Sequence, residues 1–395
     1  MANYIVKEVK TSQEEAIFLK MAHKIYAGCS NWVAPLESDI KSVFNPAKNK
    51  MYAKGEATKF LAFDGNECVG RIAAFYNLDT APFKDLMVGG CGFFECINNQ
   101  EVANMLFDAA KAWNESKGMN AMDGPINFGD RETWWGLLTE GYTFPNYGMN
   151  YNYEYYKELF ENYGFKNFFE GYSFSRGMDG ETLNPVVVEK ARRLKENPLY
   201  EFKDVSSRNL DDVARDFCNI YRKAWAKFDV AEITDEDAQA LMNKLRPIID
   251  KKLIFFAYYE GKAIGFFIMI PDINPLIQPL KGKMGFINTL RFLYALKIKK
   301  TARNAMGLIF GVVPEHQGKG IESGIINGFR DEVDKGVISY DSISLAWVGD
   351  FNPLMIRMVE KYVGATRDKT HTTYRYIFDR EHEFERAPRV SMSRG

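Results

Sequence analysis

Apolar residues in the second half of the chain recur in runs that switch between a two-residue and a three-to-four-residue period. The runs predict a strand at Leu199–Val205, an amphipathic helix over Leu210–Phe228 and a second helix over Thr234–Ile249, with Thr234 and Asp235 as capping candidates. A hairpin follows at 253–271, then a strand at Met306–Val313, a helix over Ile321–Val333, a strand at Tyr340–Val348, a helix opening at Asn352 and a closing strand at Thr370–Phe378. The first half gives the same order more loosely: helix 13–26, hairpin 59–75, strand 88–97, helix 101–117, strand 119–127, helix 152–162 and strand 167–176. Residues 179–198 predict a charged helical linker, and the charged, apolar-poor tail 381–395 is expected to be disordered.

The two halves share landmarks. Phe60-Leu-Ala-Phe-Asp-Gly-Asn-Glu-Cys-Val-Gly70 and Phe256-Ala-Tyr-Tyr-Glu-Gly-Lys-Ala-Ile-Gly265 are both a strand, a turn at glycine and a second strand. Asn152 and Gly164 have counterparts in Asn352 and Gly364, spacing that suits a helix capped by Asn and ended by Gly. Two matching pairs at matching places predict a duplicated domain, with units at 1–178 and 199–380.

A chain of 395 residues has room for two domains with real cores. Its net charge of −1 gives no global basic excess for nucleic acid. The five scattered cysteines lack Cys-x-x-Cys spacing, so neither a disulfide framework nor a metal site is indicated. The N-terminus lacks the apolar core of a signal peptide and no run is long enough to span a bilayer, so a cytoplasmic address is expected. Oligomeric state is not legible.

The chemistry concentrates at Val312-Val-Pro-Glu-His-Gln-Gly-Lys-Gly-Ile321, between a predicted strand and a predicted helix. Glycines there let the backbone turn sharply and aim a cluster of N–H groups at one anion, so a phosphorylated cofactor is expected. The spacing fits neither a P-loop, which ends in Lys-Ser/Thr, nor the three-glycine dinucleotide fingerprint. Gln317-Gly318-Lys319-Gly320, after its Val-x-Pro-Glu strand end, resembles the pyrophosphate loop of the GNAT acyltransferase superfamily. Glu322 departs from the pattern, standing where the family prefers Gly or Ala.

The resemblance implies an α/β fold of two tandem GNAT-like domains, each a twisted mixed sheet flanked by helices. It implies acetyl-CoA or another acyl-CoA as co-substrate, no metal, and transfer to a small-molecule or other amine-bearing acceptor. Cofactor contacts would come from Val312, Val313, Gln317, Gly318, Lys319, Gly320, Ile321 and Asn352, with an oxyanion donor near Val312 and Val313 and a strand-splaying bulge at Gly311. The family commonly places a tyrosine acid four residues before the glycine that ends the last helix. Here that place holds Glu360 or Val359, so Tyr362 is the displaced candidate and Asp350 a possible proton relay.

The first half has no such loop. At the matching place stands Cys96-Ile-Asn-Asn-Gln-Glu-Val, where Glu101 would repel a pyrophosphate. It carries instead an aromatic insert after residue 123, in which Trp134, Trp135 and Tyr142 are read as an acceptor wall. A second insert, Lys281–Arg303, holds seven basic residues, no acidic one and an interleaved apolar series. Three readings stand: an N-acetyltransferase-like enzyme, a non-catalytic CoA-binding scaffold, and a long-chain acyltransferase at a membrane surface touched through 281–303.

Overall fold

The computed structural model describes residues 3–129, 131, 133–178, 183–226 and 234–389. The strands are β1 (Tyr4–Glu8), β2 (Gly55–Asp64), β3 (Glu67–Asn77), β4 (Pro82–Phe83), β5 (Leu86–Cys96), β6 (Ala121–Gly124), β7 (Leu137–Glu140) and β8 (Lys166–Gly177), followed by β9 (Tyr200–Asp204), β10 (Ile254–Tyr259), β11 (Lys262–Pro271), β12 (Asn304–Val312), β13 (Ser342–Gly349) and β14 (Thr366–Ile377). The helices are α1 (Ser12–Ile25), α2 (Glu37–Val43), α3 (Gln100–Ser116), α4 (Tyr155–Tyr163), α5 (Pro185–Lys195), α6 (Leu210–Trp225), α7 (Asp235–Leu245), α8 (Asn274–Ile277), α9 (Phe286–Leu293), α10 (Ile321–Asp334) and α11 (Pro353–Arg357).

All but β4 and β7 hydrogen-bond in one continuous order, β1-β2-β3-β5-β6-β14-β8-β13-β12-β11-β10-β9. The order shows a crossover that the repeat did not disclose. β8 and β14 occupy equivalent places in the two halves, yet β14 pairs with β6 of the first half and β8 with β13 of the second. The two exchanged strands lie antiparallel at the centre, with Thr370 opposite Tyr172 and His371 opposite Gly171. Helices cover both halves: α3 and α4 close an aromatic core around Phe94, Phe107 and Phe160, and α6 and α10 close a core around Phe255, Phe256 and Phe266.

Local chemistry explains most element ends. Thr11 and Thr234 open α1 and α7 with reciprocal capping boxes, and Gly164 and Gly364 end their helices at positive φ. Asn352 caps α11 by accepting from the Met355 N–H at 3.2 Å. Asn152, expected to do the same for α4, instead clamps both backbone groups of Leu138 on β7, at 2.8 and 3.0 Å. A side chain amide can satisfy a strand edge as well as a helix end.

The helix expected to reach Phe228 closes at Trp225; residues 227–233 lie outside the described ones. The tail, expected to be disordered from 381, folds back as far as Arg389. Ala387 donates its N–H to Phe168 at 2.9 Å, His382 meets Asp85, Glu385 meets Lys84, and Arg386 meets Asp350 at 2.6 Å. Of the charges that suggested solvation, His382, Glu385 and Arg386 have charged partners on the body of the protein. Residues 390–395 lie outside the described ones.

Candidate active site

β12 and β13 run parallel and pair only from Asn304–Ser342 to Gly307–Leu345. Beyond that point they part, although β12 continues to Val312 and β13 to Gly349. The cause lies in β12: against β11 its register slips between Ile268, which faces Ile309, and Met269, which faces Gly307, leaving Leu308 as the extra residue. Such a bulge bends the strand and sharpens its twist. The expected bulge at Gly311 is not there, since Gly311 faces Phe266 in regular register. A glycine is suited to a bulge without being required for one.

The splay opens an apolar cavity of about 310 Å³, walled by Phe267, Leu308, Phe310, Ile326, Phe329 and Val348, with Asn352, Met355, Val359 and Val363 from the last helix. Arg176 of β8 and Met178 just beyond its end reach it, so the first half contributes directly to a site of the second. Neither residue carried a signal in sequence, because their placement depends on the strand exchange. Trp347, at φ 67°, is another wall residue, and its buried indole N–H has no partner among the described residues. Positive φ at a bulky side chain is held only where packing over-determines it.

The glycine loop crowns the splay. A short 3₁₀ turn at Pro314–His316 leads to Gly318 at φ 73° and Gly320 at φ 87°, left-handed conformations that glycine takes freely. Gly320 starts α10 and, having no side chain, offers its first-turn N–H groups no N-cap hydrogen bond. Gln317 turns back so that its Nε2 donates to the Val312 carbonyl at 2.9 Å. Val313 gives its N–H to Ile264 at 2.9 Å and is committed to the sheet, so of the two expected oxyanion donors only Val312 is available. In an antiparallel ladder neighbouring residues point opposite ways, and Val312 faces the opened side. Lys319 is exposed and Ile321 buried under the turn.

Glu322 is not turned outward. Its carboxylate accepts its own backbone N–H, and burial raises its pKa above the ordinary value while Lys190 of α5 pulls it down. It thus occupies part of the anion cradle. The linker helix closes the other side of the loop: a Cβ on Gly320 would lie 3.5 Å from the Cβ of Lys190 and 3.6 Å from Leu194. His316 packs between Tyr200 and Tyr259.

Among the described residues, no aspartate, glutamate, histidine, lysine, cysteine or tyrosine lines the cavity. Asp350 stands between the wall residues Gly349 and Phe351, its carboxylate held by Arg386, and Tyr362 sits half-buried beside the wall residue Val363 on a π-turn at Met358–Val363. Both belong to the rim.

The matching place in the first half is filled. β5 and β6 also part after Gly90 and Asp123. There, however, the Cys96 N–H donates to the hydroxyl of Tyr156 at 3.2 Å, and that hydroxyl donates to Glu95 at 2.9 Å. Tyr155 donates to the Cys96 carbonyl at 2.7 Å, and Asn99 caps α3 through the Val102 N–H at 3.1 Å. Cys96 faces Gly70 as Val312 faces Gly265, so the two N–H groups are equivalent. What remains is a cavity of about 60 Å³ beside Glu95 and Arg71. Trp134 lines it, stacked edge-on to Phe93. Trp135 is buried with Phe168 and Phe169, and Tyr142, its phenol pushed up to about 12 by burial, accepts from Asn31 on its backbone carbonyl. None of the three lines the larger cavity.

These features, a bulged and splayed parallel pair ending in a glycine loop and present in a twinned sheet, are those of the tandem GNAT fold. A tandem GNAT protein from the clavulanic acid biosynthesis pathway superposes over 96% of this chain and 100% of its own, with a TM-score of 0.56 and 9% identity. A GCN5-related glucosamine N-acetyltransferase region in a fungal multi-domain GH3 β-N-acetylglucosaminidase matches 95% of this chain and 38% of that longer protein, also at 0.56, with 11% identity. Among sequences, a bacterial ceramide synthase of Caulobacter vibrioides (strain NA1000 / CB15N) is 26% identical over 94% of this chain and 97% of its own length. Protein YghO of Escherichia coli (strain K12) is 22% identical over 94% of each. No family model matches the sequence.

Proposed function

We propose that this protein is an acyl-CoA-dependent N-acyltransferase whose second half binds the donor and whose acceptor is a lipid-like amine. The observation that carries the reading is the joining of a glycine loop at a helix start to an apolar splay. The loop and Lys319 suit a pyrophosphate, which helix-terminal N–H groups and the helix dipole both favour. The unpaired edges of β12 and β13 offer backbone donors and acceptors to the amides of a pantetheine arm. The cavity beyond, whose described walls carry no titratable group other than arginine, suits a hydrocarbon chain better than a polar one.

Chemistry follows from this placement. The Val312 N–H is positioned to stabilise negative charge on the thioester oxygen as the amine attacks. Because the described walls hold no carboxylate, imidazole, amine, thiol or phenol, the amine proton and the leaving thiolate are assigned to the rim, to Tyr362, Asp350 or water. Support for a lipid acceptor comes from the relative named a ceramide synthase, since a ceramide is a fatty acid in amide linkage to a long-chain amino alcohol.

The testing experiment presents the purified protein with acetyl-CoA and palmitoyl-CoA against a long-chain amino alcohol and a short polyamine. Faster amide formation from the two long-chain partners is expected. Transfer of acetyl to the polyamine alone would reject the lipid reading, and no turnover with any pair would return the chain to a CoA-binding scaffold.

A further inference from the structure

The insert between β11 and β12 is inside out. One side of α9 and of its π-helical continuation Tyr294–Ile298 is buried, with Phe292 and Leu296 in a cluster that includes Ile270, Ile277 and Met306. The opposite side is apolar too. Phe286 is 79% exposed, Ile287 64% and Ile298 69%, with Leu290 and Tyr294 about half exposed between them. Residues 287, 290, 294 and 298 follow one another at helical spacing, so they form a single outward stripe. A helix on the surface of a globular protein normally turns polar residues to water, and contiguous exposed apolar groups mark an interaction site.

Charge says what the stripe meets. From Asp272 to Glu315 there is no acidic residue between. Lys281, Lys283, Arg291, Lys297, Lys299 and Lys300 are all exposed and, among the described residues, none forms an ion pair. Elsewhere on this surface some cations are paired, as Lys24 is with Glu67 and Lys54 with Asp79. Unpaired cations flanking an apolar stripe complement an anionic bilayer, where phosphate headgroups take the charges and acyl chains take the side chains. Among the described residues no helix is long and apolar enough to cross a membrane, so contact would be one-sided.

The insert also shares a packing cluster with two walls of the proposed site. Leu308 and Ala346, both walls of the large cavity, pack against the cluster that the inner face of α9 helps to build. We propose that α9 and its continuation form a docking surface for an anionic phospholipid bilayer, holding the cavity next to the phase in which a long-chain substrate resides.

The test needs no acyl-CoA, so its outcome is separate from that of the transferase reading. The full chain is sedimented with vesicles of equal phosphatidylglycerol and phosphatidylcholine, and with phosphatidylcholine alone, at physiological ionic strength. The parent is expected to pellet with the anionic vesicles and at least tenfold less with the neutral ones. Ile287→Asp with Leu290→Asp should lower anionic partitioning at least tenfold while CoA binding is retained, which shows that the variant is folded. Lys299→Glu with Lys300→Glu should weaken binding and flatten its salt dependence. Equal sedimentation of parent and aspartate variant would overturn the proposal. So would an ultracentrifugal dimer that the aspartate substitutions split into monomers, because the stripe would then be an interface between copies.

Discussion

Arg375 and Asp123 form a bidentate ion pair across the two halves, Nε to Oδ1 at 2.7 Å and Nη2 to Oδ2 at 2.9 Å. The guanidinium also stacks on Phe168 at 3.6 Å and Phe83 at 4.2 Å, and its side chain is only 4% exposed. It fastens β14 to β6, the pairing that makes the exchange possible. Planar, two-pronged geometry is what Arg offers and Lys does not.

Removing one partner of such a pair strands the other. Arg375→Met should destabilise the fold by about 3–5 kcal/mol, the usual cost of an uncompensated buried charge. Adding Asp123→Asn removes the stranded charge, so the double variant should be more stable than Arg375→Met alone. Denaturant midpoints at constant m-value decide it; a single variant within about 1 kcal/mol of the parent would show that the pair is not a fastener.

Donor binding should occur once per chain, at the second half. Tyr156 already satisfies the Cys96 N–H and Asn99 already caps α3, whereas the Val312 N–H faces the open splay and Gly320 gives α10 no cap, Glu322 alone reaching into part of that cradle. Gly320→Asp would place a carboxylate over the open amides and force a left-handed conformation on a side chain, so CoA affinity should fall by roughly 10²-fold or more. Calorimetry giving two equivalent sites, or unchanged affinity in the variant, would move the site elsewhere.

Glu322 makes that affinity depend on pH. Its folded pKa lies above the ordinary glutamate value, chiefly because of burial. For an acid this means that the folded state favours the protonated form, so its contribution to stability is present at low pH and is lost as pH rises from the ordinary glutamate value through the raised one. A bound phosphate would favour the same neutral form, so CoA should bind more tightly as pH falls across that interval. Glu322→Gln should bind CoA better at pH 7, by on the order of tenfold, with a flatter profile. Parallel profiles for parent and variant would show that the carboxylate is not in the cradle.

Tyr362 and Asp350 divide the proton question between them. Tyr362→Phe is expected to lower kcat about 10²-fold with CoA affinity retained. A rate near the parent value would assign the thiolate proton to Asp350 or to water at the rim.

Sequence disclosed what is local. The glycine loop, the helix that follows it and the two-fold repetition all rest on short-range chemistry: φ freedom, capping and period. Leu308 was missed because a bulge is a property of two paired strands, and nothing in Met306-Gly-Leu-Ile-Phe310 says which residue will lack a partner. Arg176 was missed for the same reason at longer range, since only the exchanged β8 carries it to the cavity. The emptiness of one site and fullness of the other turned on Tyr156, which in sequence is one aromatic among several. The tail was misjudged by composition, because Glu385 and Arg386 read as solvated charges until Lys84 and Asp350 are seen opposite them.

The exchanged strands also set an order of manufacture. β14 is the last strand to be translated, and until it arrives β6 and β8 each lack a neighbour in the middle of the sheet. At roughly 5–20 residues per second, the stretch 178–365 keeps the nascent chain in that state for roughly ten to forty seconds. Two bare strand edges, next to a half-built aromatic core, are what a holding chaperone would engage on the ribosome and what a prematurely stopped chain would use to aggregate.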